Sequence, residues 1–423
     1  MQLLATGDSP LTYSLQSGSV LPTGVTLSSS GLLSGTAIGI GNTTTVNFNV
    51  VAMDLEGQTS SPLISLSLTF YFAILWIWGR NQVGQLGLGN TTDYSSPMQV
   101  GSPSTWKVIK SGSASAFVTA ESGALWVWGS NSVGLLGLGN NIAQSSPVQV
   151  GTLTNWGPIA IGSTHVATVK TDGTLWTWGS NSAGQLGLAT PTTYSSPKQV
   201  GALTNWRSVG NGSNHNIAVK TDNTLWAWGR NLGHGNLGLG DTLNRSSPVQ
   251  VGTLTNWLMS AASNYASAAV KTDGTLWTWG QGVAGALGQG DTQSRSSPVQ
   301  VGSLTTWVNV VVGSACMFAF MADGTLWSWG DNTYGKLGHN TSIDRSSPVQ
   351  VGTLYTWLSV STDTNSTIAV RQDKTLWGWG NNTYGQLGQG STVTNQQSPV
   401  QIGSLTTWKS VTSGLNWSAG ISD

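Results

Sequence analysis

The string Leu-Trp-x-Trp-Gly occurs seven times in this chain, beginning at Leu75, Leu125, Leu175, Leu225, Leu276, Leu326 and Leu376. Successive copies lie 50 residues apart, with one step of 51. A period this strict marks a repeat whose units cannot bury their apolar faces alone and must stack on one another. It also accounts for the tryptophans. Of 22, fourteen lie in these strings, seven in segments resembling T-x-W (Trp106, Trp156, Trp206, Trp257, Trp307, Trp357 and Trp408), and one is Trp417. Tryptophan is therefore read as scaffold.

One copy, Ser196 to Gly229, carries four strand candidates: Pro197 to Val200, Trp206 to Val209, Asn216 to Lys220 and Leu225 to Gly229. Asp172-Gly173, Asp273-Gly274 and Asp323-Gly324 stand between the last two strands of sister copies, where a two-residue type I′ hairpin turn is expected. Four antiparallel strands make a blade, and seven blades make a propeller. Along each Leu-Trp-x-Trp-Gly strand the two tryptophans share one face, with Leu and the x residue on the other. The array opens at the Leu75 strand without its hairpin partner, and a strand suited to that role follows the last T-x-W segment. Trp417 to Ser422 is thus predicted to pair with Leu75 to Gly79 and close the ring, removing its open edges.

The expected architecture is all-β: a small N-terminal β-sandwich over residues 1–72 and a seven-bladed β-propeller over 73–423. Leu11 to Leu15, Val25 to Leu27, Val46 to Val51 and Leu63 to Phe70 read as strands of the sandwich.

Composition narrows the function. Charged residues make up 8% of the chain, and 16 basic residues balance 16 acidic ones, so no electrostatic footprint for nucleic acid is present. The most membrane-like stretch, Leu63 to Trp78, is interrupted by Ser65, Ser67 and Thr69, and its alternation reads as a strand, so membrane insertion is not expected. Cys316 is the sole cysteine and leaves the redox compartment open. No basic segment followed by an apolar run marks a secretory signal near Met1, and the N-x-S/T triplets at Asn42, Asn90 and Asn340 are read as chance.

Nothing in the pattern suggests an enzyme, a metal site or a cofactor. The aspartates at 172, 222, 273, 323 and 373 recur at one turn position, His234 and His339 lack zinc-ligand spacing, and Gly184-Gln-Leu-Gly-Leu lacks the lysine a phosphate cradle needs. Asp54 and Glu56 do not amount to a calcium cage. A glycan-cleaving enzyme would require paired carboxylates in a cleft.

Positions at which the repeats disagree are more informative, because a purely structural demand acts alike on every blade. One set heads the strand after the T-x-W segment: Ser115, His165, His215, Ala266 preceded by Tyr265, Cys316, Ser366 and Trp417. His165, His215, Tyr265 and Trp417 are the candidate contact residues of this ring, and the alternative is a purely structural role for the position. The second set lies three residues before the strand proline: Tyr94, Gln144, Tyr194, Arg245, Arg295, Arg345 and Gln396. Arg245, Arg295 and Arg345, with Tyr94 and Tyr194, are candidates for an anionic glycan or protein contact, since guanidinium forks grip carboxylates and aromatic rings stack on sugars. The structural alternative pairs the arginines with Asp241, Asp291 and Asp344.

Trp178-Gly-Ser-Asn-Ser-Ala-Gly-Gln-Leu-Gly187 resembles the W-G-x-N-x-x-G-Q-L-G signature of the regulator-of-chromosome-condensation family, and the resemblance covers Leu75 to Asp423. It implies a seven-bladed propeller. The wedge and basic tails with which that family's best-known member acts on a small GTPase at chromatin are not visible here, and other relatives inhibit enzymes or sit in bacterial and phage surface proteins. Ser9-Pro-Leu-Thr-Tyr-Ser, Leu21-Pro-x-Gly-Val-Thr-Leu, Ser30-Gly-Leu-Leu-Ser-Gly-Thr36 and Asp54-x-x-Gly57 resemble immunoglobulin-like domains common in bacterial and phage surface proteins. Such domains have an opening strand ahead of the Leu3-Leu-Ala-Thr segment, and a neighbouring subunit or upstream protein is expected to donate it.

The reading is a noncatalytic phage virion or cell-surface protein, a tail fibre, spike or decoration component, with other virion or surface proteins and a host surface glycan as expected partners. The alternative is a soluble propeller module acting as a protein inhibitor or regulator.

Overall fold

The computed structural model describes the chain except residues 6–9, 23, 36–43, 61–63, 71–72, 102–105, 232, 354–355 and 391–394. Ser9, Thr36, Asn42, Leu63 and the expected boundary at 72 lie outside the described residues. The chain divides into two compact units, Met1–Ile74 and the body running from Leu75 to Ser422.

In the first unit, Thr12–Leu15, Thr44–Met53 and Ile64–Phe70 form a three-stranded antiparallel sheet with Thr44–Met53 central. Val25–Leu27 pairs with Leu33–Gly35 in a second sheet, and Leu3 joins it by donating its N–H to Gly31. Leu3, Leu33, Phe48 and Val50 are buried between them, with Tyr13, Leu15 and Leu66 packed against this core. Alternation along Phe48, Val50 and Ala52 puts one face of the central strand inward, as period-two patterning requires. Asp54 is a turn cap: its Oδ1 accepts the N–H of Gln58 at 2.7 Å.

The second unit consists of seven four-stranded antiparallel sheets. Blade 3 is representative, running outward through Trp206–Asn211, His215–Lys220, Leu225–Gly229 and Arg245–Gln250. The proline-bearing strand is thus the outermost strand of the blade whose Leu-Trp-x-Trp-Gly strand precedes it. Tyr194–Gln199 pairs with Leu175–Gly179 in blade 2, a correction to the expected grouping of Ser196 to Gly229. An outer edge is the place where a strand tolerates a residue without an N–H. The innermost strands, from Trp106–Ser111 in blade 1 to Trp408–Gly414 in blade 7, line a central channel.

Blade 7 is composite, ordered Trp408–Gly414, Trp417–Ser422, Ile74–Gly79 and Tyr94–Gln99. The expected closing pair is formed, and Arg80 N–H donates to Asn416 O at 2.9 Å beside it.

Two sets of bonds lock each blade to the next. The second tryptophan of every string donates its indole N–H to a loop carbonyl of the preceding blade: Trp128 to Gln85, Trp178 to Leu135, Trp228 to Gln185, Trp279 to Asn236, Trp329 to Ala286, Trp379 to Lys336 and Trp78 to Gln386, all at 2.7–3.1 Å. The same loops reach forward to the next outer strand, as when Gly139 N–H donates to Ser195 O and Gly390 N–H to Ser95 O. The two string tryptophans share one face, as expected: Trp206 packs against both Trp226 and Trp228. Leu175, on the opposite face of blade 2, packs against Trp228.

The hairpin turns differ from expectation. Gly173 N–H donates to Lys170 O and Lys170 N–H to Thr174 O, enclosing three loop residues with Gly173 left-handed at φ 77°. This is a type I turn closed by a glycine bulge, not a two-residue type I′ turn. The recurring aspartate is a turn former: Asp172 Oδ1 accepts the N–H and hydroxyl of Thr174, whose Oγ1 accepts the indole N–H of Trp176.

Candidate functional site

One face of the propeller carries the loops that leave each Leu-Trp-x-Trp-Gly strand and the short loops at the channel mouth. The loop signature has a mechanical basis. Asn181 Oδ1 accepts the N–H of Leu186, and the equivalent bonds recur from Asn81, Asn131, Asn231, Asn332 and Asn382 at 2.8–2.9 Å. Six of the seven loops are thereby cinched before the chain turns into the outer strand, and the blade 4 loop carries Gly282 in place of the asparagine.

The second set of variable residues sits where those outer strands begin. In ring order the blades present Tyr94, Gln144, Tyr194, Arg245, Arg295, Arg345 and Gln396, so the three arginines occupy consecutive blades. Tyr94 Oη accepts from Asn90 Nδ2 at 3.2 Å, and Lys198 Nζ lies 5.3 Å from the ring centre of Tyr194. Arg245 and Arg295 pair with Asp241 and Asp291 at 2.5 and 2.7 Å, as the structural alternative expected. Both carboxyls are held below the usual carboxylate range, first by the backbone N–H groups of Leu243 and Gln293, with the arginines adding to it. The third expected pair is not formed. Asp344 Oδ1 instead accepts the N–H of Asn332 at 2.8 Å, the capping role that Asp93 performs for Asn81 and Asn244 for Asn231.

The first set is enclosed. His165, His215 and Trp417 are 0% exposed, so they join blades and present no surface to a ligand. Asn216 Nδ2 donates to Gln185 O, which turns its Oδ1 toward His165 Nε2 at 2.9 Å. Ser267 Oγ donates to Asn236 O, so at 3.0 Å it accepts from His215 Nε2. Both histidines therefore carry a proton on Nε2. Burial lowers His165 to about 4, and burial followed by His165 itself lowers His215 to about 3. Trp417 donates its indole N–H to Ser113 O at 2.9 Å. Tyr265 differs: half-buried, it lies against His234, with ring centres 5.7 Å apart, and Arg230 stands 5.9 Å from its ring centre.

Room for the enclosed side chains is made three residues upstream. A Cβ on Gly162 or Gly212 would lie 2.4 or 2.0 Å from Cε1 of His165 or His215, and one on Gly414 would lie 2.0 Å from Trp417 Nε1. Where the ring residue shrinks to Ala266 or Ser366, the upstream residue grows to Ser263 or Asp363.

Asp363 and Lys336 went unnoticed in the sequence, although each departs from its repeat: aspartate where five sister blades carry glycine, and lysine where three carry glutamine. Asp363 accepts from the N–H groups of Asn365, Ser366 and Asn416 at 2.6–3.1 Å, and burial raises its pKa against those bonds. Lys336 Nζ donates to Asp331 Oδ2, Ser314 O and Thr364 O at 2.5–3.0 Å, binding two channel-mouth loops together. Burial raises the Cys316 thiol, which leaves it unreactive. Among the described residues no group of three or more His, Cys, Asp or Glu is placed to hold a metal.

Seven matches to the family model "Regulator of chromosome condensation (RCC1) repeat" span residues 74–120, 122–169, 172–219, 222–270, 273–320, 323–370 and 373–421. Each sequence repeat supplies the outer two strands of one blade and the inner two of the next, which is why the first and last share blade 7. The model "Putative Ig domain" matches residues 3–69. No curated protein matches the chain.

Similar solved structures include Prp20p of Saccharomyces cerevisiae, described with its binding properties to Gsp1p and histones. It is 17% identical, with a TM-score of 0.73 over 83% of this chain and 91% of that one. Yeast RCC1 (Prp20) bound to Kap60 is 18% identical, with a TM-score of 0.73 over 83% and 89%. Human WBSCR16 is 17% identical, with a TM-score of 0.73 over 83% and 98%. At these identities the likeness is one of fold. With its repeats covering most of its length and closing through blade 7, the chain belongs to the regulator of chromosome condensation (RCC1) repeat family.

Proposed function

We propose that this protein is a noncatalytic adhesion or structural component of a virion or cell surface, its propeller rim making the contact and its immunoglobulin-like unit the attachment. The observation that carries this reading is the outer rim. Seven equivalent positions start the outer strands of an interlocked ring, six of them behind the same asparagine-clamped loop, yet they present Tyr, Gln, Tyr, Arg, Arg, Arg and Gln. A uniform scaffold with varied tips is the arrangement expected of a recognition surface. The low charge and the pairing of the two family resemblances support a surface setting. The first unit also leaves strands Thr12–Leu15 and Ile64–Phe70 at the edges of its larger sheet, where a strand from another subunit could add.

Binding of the labelled full chain to intact bacterial cells, with extracted surface polysaccharide as competitor, tests this. Saturable and competed binding is expected. Its absence, with a particle or cell-envelope protein bound instead, would move the contact from glycan to protein. A protein-regulator role draws support from Prp20p, a similar fold described with binding to Gsp1p and histones. A stoichiometric complex with a soluble protein would favour it.

A further inference from the structure

Along the outer rim the loop residue four positions before the variable one makes the same local turn in blade after blade. Asn90, Asn140, Asp241, Asp291 and Thr341 each accept, through a side-chain oxygen, the N–H two residues on, at 2.9–3.1 Å. Aspartate has a second oxygen to offer. In blades 3 and 4 that oxygen holds Arg245 Nη2 and Arg295 Nη2. Thr341 has only one side-chain oxygen, already used by Ile343 N–H, and Asp344 is committed to Asn332. Among the described residues Arg345 consequently forms no ion pair and donates no hydrogen bond, and its Nε is buried without a partner.

We propose that Arg345 is a carboxylate-binding site, in which the carboxylate of an acidic sugar occupies the place that Asp241 and Asp291 fill in the two preceding blades. The proposal rests on the surface-adhesion reading and names its ligand chemistry. A guanidinium with an unmet donor satisfies it best with a planar carboxylate. A polyanionic protein segment or nucleic acid would need several open cations side by side, but Arg245 and Arg295 are already neutralised by their own aspartates. Among the described residues Arg345 is the one arginine of this rim set left open, which matches a saccharide bearing isolated carboxylates. Thr341, Ser342 and Ser346 add hydroxyls to the same loop for the hydroxyls of a sugar ring.

The test measures binding of the full chain to an oligouronate, to the same oligomer with its carboxyls reduced, and to a glutamate-rich peptide. The variants are Arg345→Gln, Arg245→Gln and Thr341→Asp. Wild type should bind the oligouronate in a salt-sensitive manner and ignore the reduced form. Arg345→Gln should weaken binding by roughly tenfold or more, and Arg245→Gln should leave it within about twofold. Thr341→Asp keeps the turn and supplies the missing second oxygen, so it should abolish binding while unfolding no earlier than wild type.

Undiminished binding by Thr341→Asp, equal binding of the reduced oligomer, preference for the peptide, or no oligouronate binding by wild type would each overturn the site. Cell binding separates this from the adhesion reading. Cells bound equally by wild type and Thr341→Asp would sink the site and keep adhesion. Arg345-dependent oligouronate binding without cell binding would keep the site and sink adhesion.

Discussion

Trp78 donates its indole N–H to the carbonyl of Gln386 at 2.8 Å, joining residues 308 positions apart in the bond that every other blade boundary makes over 43. The ring is therefore closed by the repeat's own chemistry, with no special clasp. Trp78→Phe leaves a buried carbonyl without its donor and should cost about 1–3 kcal/mol in urea unfolding. Trp228→Phe should cost less, because Gln185 O keeps a second donor, Asn216 Nδ2, at 2.7 Å. Equal losses would mean that indole packing, not the bond, dominates.

Removing Trp417 to Asp423 takes away the second strand of blade 7 and leaves Ile74–Gly79 and Trp408–Gly414 without their shared neighbour. The thermal midpoint should fall sharply, and light scattering should rise as bare strand edges associate. An unchanged midpoint would show that the remaining six boundaries suffice.

The glutamine of the loop signature sets the backbone two residues before it. Gln85, Gln185 and Gln386 accept the N–H of Val83, Ala183 and Tyr384 at 2.8–3.0 Å. Where that glutamine becomes Leu135, Ala286 or Lys336, the corresponding Val133, Ala284 and Tyr334 turn left-handed, with φ of 56°, 55° and 64°. Such a conformation costs a non-glycine residue about 1–2 kcal/mol. Ala286→Gln should restore the clamp and raise the midpoint of unfolding, and a crystal structure of the variant should place Ala284 at negative φ. Gln185→Ala should do the reverse.

Much of this was legible in the sequence. Strand count, ring closure and the shared face of the tryptophans follow from periodicity, because they depend on spacing alone. Asp172-Gly173 was misread as a two-residue turn because the dipeptide suits both turn types, and only the bond from Lys170 N–H to Thr174 O distinguishes them. Asp344 looked like the partner of Arg345 because it is adjacent, but the loop uses that position as a cap for Asn332. His165 and His215 looked like contact residues because the position varies, but both are buried, their rings filling the space left by Gly162 and Gly212 and reaching polar groups of the next blade. Local spacing does not reveal such cross-blade contacts.

The buried histidines give stability a defined pH dependence. Both are neutral in the folded state, with pKa lowered to about 4 for His165 and about 3 for His215. The unfolded chain binds protons on them near 6.5. Above that value neither state is protonated and stability is complete. As pH falls from about 6.5 toward 4, the unfolded state gains protons that the folded state refuses, so stability declines by a few kcal/mol, on the order of 3 for His165 alone. Urea midpoints from pH 7 to 4 should show the loss, and His215→Gln should make its slope shallower. A flat profile would mean that the imidazoles protonate in place.

The pairing of Gly212 with His215 makes the last prediction a cycle. A Cβ at position 212 would lie 2.0 Å from Cε1 and 2.3 Å from Nδ1 of the imidazole, so Gly212→Ala cannot be accommodated without displacing the ring from Ser267. The single variant should lose about 3 kcal/mol or more, combining overpacking with a broken buried bond. His215→Ala alone leaves a cavity and an unmet acceptor, and should cost about 2–4 kcal/mol. The double variant joins alanine to alanine, a size match like that of Ser263 with Ala266 in blade 4, and should be more stable than the sum of the single losses allows. The coupling energy should favour the pair by at least about 1 kcal/mol. Strict additivity would mean that glycine is needed there for its backbone and not for the space it leaves.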